Sequence, residues 1–143
     1  MTYSATIRGD KGHLKLTVLK YENPNTKNVD DANWLDVRLE SEAGPFRGSF
    51  KLALTAIELE LLYQQLARAT ELLSVDFTSM EGNFSLSIEF SRTGTAVLQG
   101  VVTPEESEGN ALHYRFNSDP VTLEATLREL QQLVAHFPAK QSI

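Results

Sequence analysis

Apolar and polar residues alternate over several stretches of this sequence, and that period of two restricts the possible folds more than any other feature. In one stretch Leu14, Leu16 and Val18 alternate with Lys15 and Thr17. Three further segments alternate in the same way: 35–39, 84–90 and 112–116. Successive side chains of a strand point to opposite faces, so the pattern predicts strands with one buried face, which is typical of antiparallel sheets.

Two hairpins are predicted between these strands. If the first turn is centred on Ala43-Gly44, opposite charges align on one face and apolar side chains on the other, as cross-strand pairing favours. The predicted pairs are Glu40–Arg47, Asp36–Lys51, Val37–Phe50 and Leu35–Leu52. The second hairpin joins residues 84–90 to residues 96–102, and two registers bury its apolar residues equally well, so both stay open.

Two amphipathic helices interrupt the strands. The first begins at Thr55, and Glu58 three residues later completes a capping box. The second begins at Asp119-Pro120, an N-cap acid before a proline whose missing N–H costs nothing there. Apolar residues follow at helical spacing in both segments, first Leu59, Leu62, Leu66, Ala69 and Leu73, then Leu123, Leu127, Leu130, Val134 and Phe137.

The order of strands, helix, strands and helix predicts an α+β fold. We expect a mostly antiparallel, curved β-sheet of about eight strands with the two amphipathic helices packed on it. The chain of 143 residues has the size of one ordinary domain, so residues 1–143 are predicted to form a single domain.

Composition narrows the possible functions. The sequence contains no cysteine, which excludes disulfides, thiolate metal sites and cysteine nucleophiles. No apolar run approaches the roughly 20 residues that span a bilayer, and no signal peptide is evident, so a soluble cytoplasmic protein is expected without membrane association. Residues 56–143 hold five basic and twelve acidic residues, a net charge of -7. Such a field repels nucleic acid and attracts a cationic partner.

Residues suited to catalysis do not converge in the sequence. The three histidines, His13, His113 and His136, lie on separate predicted elements without metal-ligand spacing. No glycine-rich phosphate loop, nucleophile elbow or zinc-protease motif is present. The sequence therefore predicts a protein that is not an enzyme, with no cofactor and no bound metal.

Acidic residues form the main candidate site. If the strands that carry them are neighbours, they lie on one acidic face: Asp76, Glu81, Glu89, Glu105, Glu106 and Glu108. Such a face either keeps the protein soluble or docks another protein, and a divalent cation is a weaker alternative because the spacing of a calcium loop is absent. Trp34, at a strand start, fits either a lid over the core or a binding hot spot.

The sequence resembles the WapI-type family of bacterial immunity proteins, the antidotes of polymorphic, contact-dependent toxins. Six pieces carry the resemblance in order along the chain: Asn33-Trp34-Leu35; Phe46-Arg47-Gly48-Ser49-Phe50; Met80-Glu81-Gly82; Ser85-Leu86; Gly109-Asn110 before Leu112-His113-Tyr114-Arg115-Phe116; and the helix from Leu127 to Phe137-Pro138. The resemblance implies a non-catalytic inhibitor that binds a cationic toxin effector domain, such as a nuclease. The six acids are the residues expected to make this contact, because an acidic face can cover a basic active site.

A different class of function remains open from the residues alone. The chain could be a scaffold or structural domain of a secretion or surface system, with no toxin-neutralising role. Such a domain would form stable homo-oligomers, whereas an antidote is expected to bind the product of a toxin gene that lies next to its own.

Overall fold

The computed structural model of the protein describes residues 3–72 and 74–141, and its eight strands form two four-stranded antiparallel sheets. The first sheet contains β1 (Tyr3–Arg8), β2 (Gly12–Tyr21), β3 (Trp34–Ala43) and β4 (Phe46–Thr55) in that order. The second contains β5 (Ser74–Thr78), β6 (Phe84–Phe90), β7 (Ala96–Val102) and β8 (Leu112–Ser118). The predicted α+β class and the number of strands are confirmed, and the structure adds that the strands divide between two sheets.

The two predicted helices begin where the sequence predicts, as α2 (Ala56–Ala67) and α4 (Pro120–His136). The structure adds a short helix α1 (Val29–Ala32) in a segment for which no helix was predicted, a short helix α3 (Ala69–Leu72) and a 3-10 turn at Glu105–Ser107. The capping box is present, because Thr55 Oγ1 accepts from the Glu58 N–H at 3.1 Å and Glu58 Oε1 accepts from the Thr55 N–H at 3.0 Å. The first predicted helix divides in two at Arg68, and its last predicted apolar residue, Leu73, lies outside the described residues.

Helix α4 buries a stripe that is rotated from the predicted one. Leu123 and Leu130 are buried as expected, but the other buried positions are Thr126 and Leu133, whereas Leu127 is only half-buried. The reason is the edge of the first sheet, along which the helix lies: the buried Thr126 hydroxyl donates to the Thr6 carbonyl of β1 at 2.6 Å. The helix turns this polar residue inward to cover a strand edge.

One buried cluster joins the inner faces of both sheets with α2 and α4. The alternating residues of each strand supply it, as the period of two predicts, and Phe77 and Phe84 from the second sheet are among its largest side chains. Tyr114 spans the inner face of the second sheet, where its hydroxyl donates to the Ser85 carbonyl at 2.6 Å. Burial raises the pKa of this phenol, so it stays a donor throughout the neutral range.

The register predicted for the first hairpin is wrong by two residues. Ala43 pairs with Phe46 around a two-residue Gly44-Pro45 turn, and Gly44 has φ +58. In consequence Glu42, not Glu40, faces Arg47, and the like charges Arg38 and Lys51 face each other. A shift by two residues keeps every side chain on its predicted face. Exposed ion pairs contribute under about 1 kcal/mol each, too little to oppose the turn and the apolar pairs.

The second hairpin, whose register was left open, pairs Phe84 with Val102 and Ile88 with Leu98. Leu86 then lies opposite Gly100. The absence of a side chain at Gly100 makes room for the tyrosine, because a Cβ there would lie 2.4 Å from Tyr114 Oη. The choice between registers thus depends on a residue of β8, two strands away from β6.

Candidate functional site

An open cleft of about 580 Å³ lies where the first sheet meets the loops at one end of the second sheet. The first sheet and the residue that follows β2 supply Glu22, Trp34 and Ala53. The β5–β6 turn and the β7–β8 loop supply the other lining residues: Glu81, Gly82, Asn83, Thr103, Pro104, Glu105 and Gly109. Residues that are far apart in the chain therefore meet at this one surface.

Trp34 is set in the cleft by the residue before it. Asn33 is almost fully buried, and its side chain both donates to the Lys140 carbonyl at 2.9 Å and accepts from the Lys140 N–H at 2.7 Å. The Asn33 carbonyl accepts from the N–H of Ala56, the first residue of α2, at 2.8 Å. The Trp34 carbonyl in turn accepts from the Glu22 N–H at 2.9 Å. These bonds fix the start of β3 and leave the half-buried indole on the cleft wall.

The turn that carries Glu81 is held by a buried carboxylate from another element. Glu58 Oε2 accepts from the Met80 N–H at 2.8 Å, and the Ser79 hydroxyl donates to Asn83 Oδ1 at 2.6 Å. Gly82 completes the turn with φ +71. Met80 is 71% exposed beside Glu81, so the turn presents an apolar and an acidic side chain together.

The loop that carries Glu105 is joined to this turn. The Thr103 N–H donates to the Asn83 carbonyl at 2.8 Å. Within the loop, the Ser107 hydroxyl donates to the Pro104 carbonyl at 2.6 Å and closes the 3-10 turn. The two acids of the cleft that come from the second sheet are therefore placed by hydrogen-bonded backbone.

The cleft is acidic. Glu22, Glu81 and Glu105 line it, and none of its lining residues is a lysine or an arginine. Lys51 Nζ lies 3.2 Å from Glu22 Oε1, and the hydrogen bond from this amine to Glu22 raises the pKa of Lys51. Carboxylates next to a half-exposed indole suit a cationic group, because both the charges and the ring face attract it.

The six acids predicted from the sequence separate into two groups. Glu81 and Glu105 line the cleft, and Glu106 and Glu108 are exposed on the same loop as Glu105. Asp76 and Glu89 are exposed on neighbouring strands of the second sheet, as a shared acidic face requires. These two acids and the four loop acids nevertheless lie in different parts of the molecule, because Glu89 is at the end of β6 that is far from the loops.

The outer face of the second sheet is mixed in charge. In register across the sheet, Asp76 faces Ser87, Ser87 faces Gln99 and Gln99 faces Arg115. An exposed acid on one edge strand is thus matched by an exposed base on the other. This face is polar, as its serines indicate, but the cleft is the more uniformly acidic surface.

Glu22 is the acidic residue of the cleft that the sequence did not indicate. It stands at the start of a long polar segment, 22–32, where a single glutamate gives no signal. Its backbone bond to Trp34 continues the pairing of β2 with β3 and brings it to the cleft.

The three histidines lie on three different elements of the structure, β2, β8 and α4. His13 Nδ1 lies 3.9 Å from Glu42 Oε2 on the first sheet, His113 is exposed on β8, and the ring of His136 stacks on Tyr3 at 3.8 Å. Across residues 3–72 and 74–141, no three histidine or acidic side chains are grouped closely enough to hold a metal ion. No helix in the same part of the chain has the length and apolar character needed to cross a membrane.

The fold and the cleft define a small α+β protein with an acidic concave surface built from two sheets. The model of the Immunity protein WapI-like family matches residues 6–138, so the chain belongs to this family. The match confirms the resemblance carried by the sequence motifs and extends it over nearly the whole chain. A search of curated proteins finds no match. Membership in an immunity family implies a toxin protein as the binding partner, and such families are generally not enzymes.

Proposed function

We propose that this protein binds the effector domain of a cognate bacterial toxin in the cytoplasm and neutralises it by covering its active site. The observation that supports the proposal best is the family match over residues 6–138. A cationic effector domain, with a nuclease as the favoured candidate, fits the acidic surface because a nuclease must itself attract phosphate. No catalytic step by the antidote is required.

The cleft supports this proposal through its charge and its rigidity. Carboxylates of one sign raise the rate of encounter with a cationic partner, and association gains when the contact groups are already positioned. Glu81 and Glu105 stand on hydrogen-bonded loops, and the half-buried Trp34 and the exposed Met80 offer apolar contacts beside them. A surface with a few aromatic or apolar anchors among charges has the composition of a binding hot spot.

Co-expression tests the proposal. The C-terminal domain of the toxin-like protein encoded immediately upstream is expressed in bacteria with and without this chain, and survival and co-purification are scored. We expect survival and a stable complex only when the chain is present. Cell death despite good soluble expression, together with a stable homo-oligomer of the purified chain, would instead favour a scaffold role.

A further inference from the structure

The outer strands of the two sheets differ in how their free edges are covered. Three of the four have a hydrogen-bonding group from another segment against the edge: Thr6 of β1 bonds to Glu129 and Thr126, Asp76 of β5 to Gln65, and Asn117 of β8 to Asp10. Such contacts prevent a foreign strand from pairing there. The fourth outer strand is β4.

The first half of β4 is open on its outer side. Within the described part of the chain, no hydrogen bond other than those to β3 involves the backbone of residues 46–51. The two-residue turn makes Ala43 and Phe46 the closing hydrogen-bonded pair, so alternate residues bond to β3 and the others point away. The outward N–H and C=O groups belong to Arg47, Ser49 and Lys51.

Both faces of this segment are also accessible. Arg47, Ser49 and Lys51 are exposed on the outer face of the sheet, and Phe46 is 64% exposed on the inner face. The ring of Phe50 lies over Gly48, because a Cβ at Gly48 would be only 2.3 Å from Phe50 Cζ. The segment therefore offers aromatic surface on one side and cations on the other, with free backbone groups between them.

The charges disfavour a second copy of the chain as the occupant. An antiparallel self-pairing centred on Ser49 would place Arg47 opposite Lys51 of the other copy, and a pairing centred on Lys51 would place two lysines opposite each other. Arg38, opposite Lys51 on β3, adds a further positive charge to the same face, where Lys51 also pairs with Glu22 at 3.2 Å and Glu42 lies opposite Arg47. Like charges opposite each other destabilise a strand pair, so both of these self-pairings are disfavoured.

The same charges favour a strand with carboxylates at alternate positions. These acids would face Arg47 and Lys51, and the intervening apolar residues would lie beside Phe46 and Phe50. We infer that residues 46–51 are a docking edge that accepts an extended acidic–apolar segment of the protein partner as a fifth strand of the first sheet. The inference rests on the proposed function, since the partner is taken to be the toxin domain.

Ser49→Pro tests the docking edge. The substitution removes an N–H that points to solvent, so the edge strand itself tolerates it. A strand added to this edge would lose one hydrogen bond and would clash with the proline ring at position 49. Ser49→Ala keeps the N–H and is the matched control. We expect the toxin domain from the co-expression experiment to bind Ser49→Pro about 10-fold or more weakly than wild type, and Ser49→Ala to bind within about 3-fold.

A second variant, Arg47→Glu, and amide hydrogen exchange test the docking edge even if the proline destabilises the fold. The charge reversal should weaken binding in the same way, and the amides of Arg47, Ser49 and Lys51 should gain protection from hydrogen exchange in the wild-type complex. If wild type binds the toxin domain but these amides stay unprotected and both variants bind normally, the docking edge is wrong and the proposed function stands. A wild-type chain that fails to bind the domain contradicts the proposed function itself, and a dimer paired through β4 would overturn the choice of occupant.

Discussion

Glu58 of helix α2 accepts a hydrogen bond from the backbone N–H of Met80, 22 residues later in the chain, at 2.8 Å. The same buried carboxylate accepts from both the N–H and the hydroxyl of Thr55, each at 3.0 Å. One side chain thus completes the capping box and fixes the turn that carries Glu81. The start of a helix and one wall of the candidate binding cleft are therefore coupled through a single residue.

Glu58→Ala should destabilise the protein by about 1–3 kcal/mol, because it leaves the buried donors of Thr55 and the partly buried N–H of Met80 without their partner. The free energy of unfolding in urea measures the loss, and hydrogen exchange at the Met80 amide reports whether the turn is released. Glu60→Ala removes a more exposed acid from the next part of the helix and should change stability by less than about 0.5 kcal/mol. Equal effects of the two variants, with Met80 still protected, would show that Glu58 does not hold the turn.

Reversing charge in the cleft should affect association more than reversing it elsewhere. The double variant Glu81→Lys, Glu105→Lys is expected to slow binding of the toxin domain by about 10-fold or more at low salt and to weaken the salt dependence of the rate. Asp76→Lys, Glu89→Lys makes the same change in net charge on the outer face of the second sheet. Stopped-flow association rates at several salt concentrations separate the two. If the two double variants slow association equally, the net charge of the protein, and not the cleft, steers the partner.

Residue patterns predicted those features of the fold that depend on local burial. The alternation at Phe84–Phe90 identified a strand, and Thr55 and Asp119 identified both helix starts, because a strand face and a helix cap are each set by a few neighbouring residues. The hairpin register failed by two residues, because a shift of two leaves the burial of every side chain unchanged. In that hairpin the Gly44-Pro45 turn, and not the charges, sets the pairing.

The candidate site could be predicted only in part, for a physical reason. Charge indicates Glu81 and Glu105, and residue type indicates Trp34, but their meeting depends on how one sheet is set against the loops of the other. Contacts between distant residues, such as the bond from the Met80 N–H to Glu58, 22 residues earlier in the chain, hold these loops in place. No periodicity in the sequence reports such contacts, and Glu22 was missed for the same reason.

Two leucines of α4 separate the predicted buried stripe from the observed one. Leu130 is fully buried, so Leu130→Ala should destabilise the protein by roughly 2–5 kcal/mol, through lost transfer free energy and the cavity left behind. Leu127 is half-buried, so Leu127→Ala should lower the free energy of unfolding by clearly less. Thermal and urea unfolding of the two variants measure the difference. A larger loss at Leu127 would mean that the helix presents the originally predicted stripe to the core.

The contact between Glu129 and β1 predicts a dependence of stability on pH. Burial opposes ionisation of Glu129, but hydrogen bonds from the Arg8 side chain and the Thr6 N–H outweigh it and lower the pKa of this carboxyl below its usual 4.5. A carboxyl whose pKa is lower in the folded state contributes stability above pH 4.5 and loses it as the pH falls through the folded-state pKa. The contribution is present at neutral pH and disappears in acid.

Glu129→Gln should therefore lower the free energy of unfolding at pH 7 by up to about 1 kcal/mol, since the pair with Arg8 is partly exposed. The difference from wild type should shrink as the pH falls below 4.5, because wild-type Glu129 then becomes neutral too. Glu124→Gln, on an exposed position of the same helix, controls for the change in net charge. Urea unfolding at several pH values measures all three proteins. If the free energy of unfolding of Glu129→Gln stays below that of wild type by the same amount from pH 7 into acid, the geometry of the amide, and not the charge of the carboxylate, is responsible.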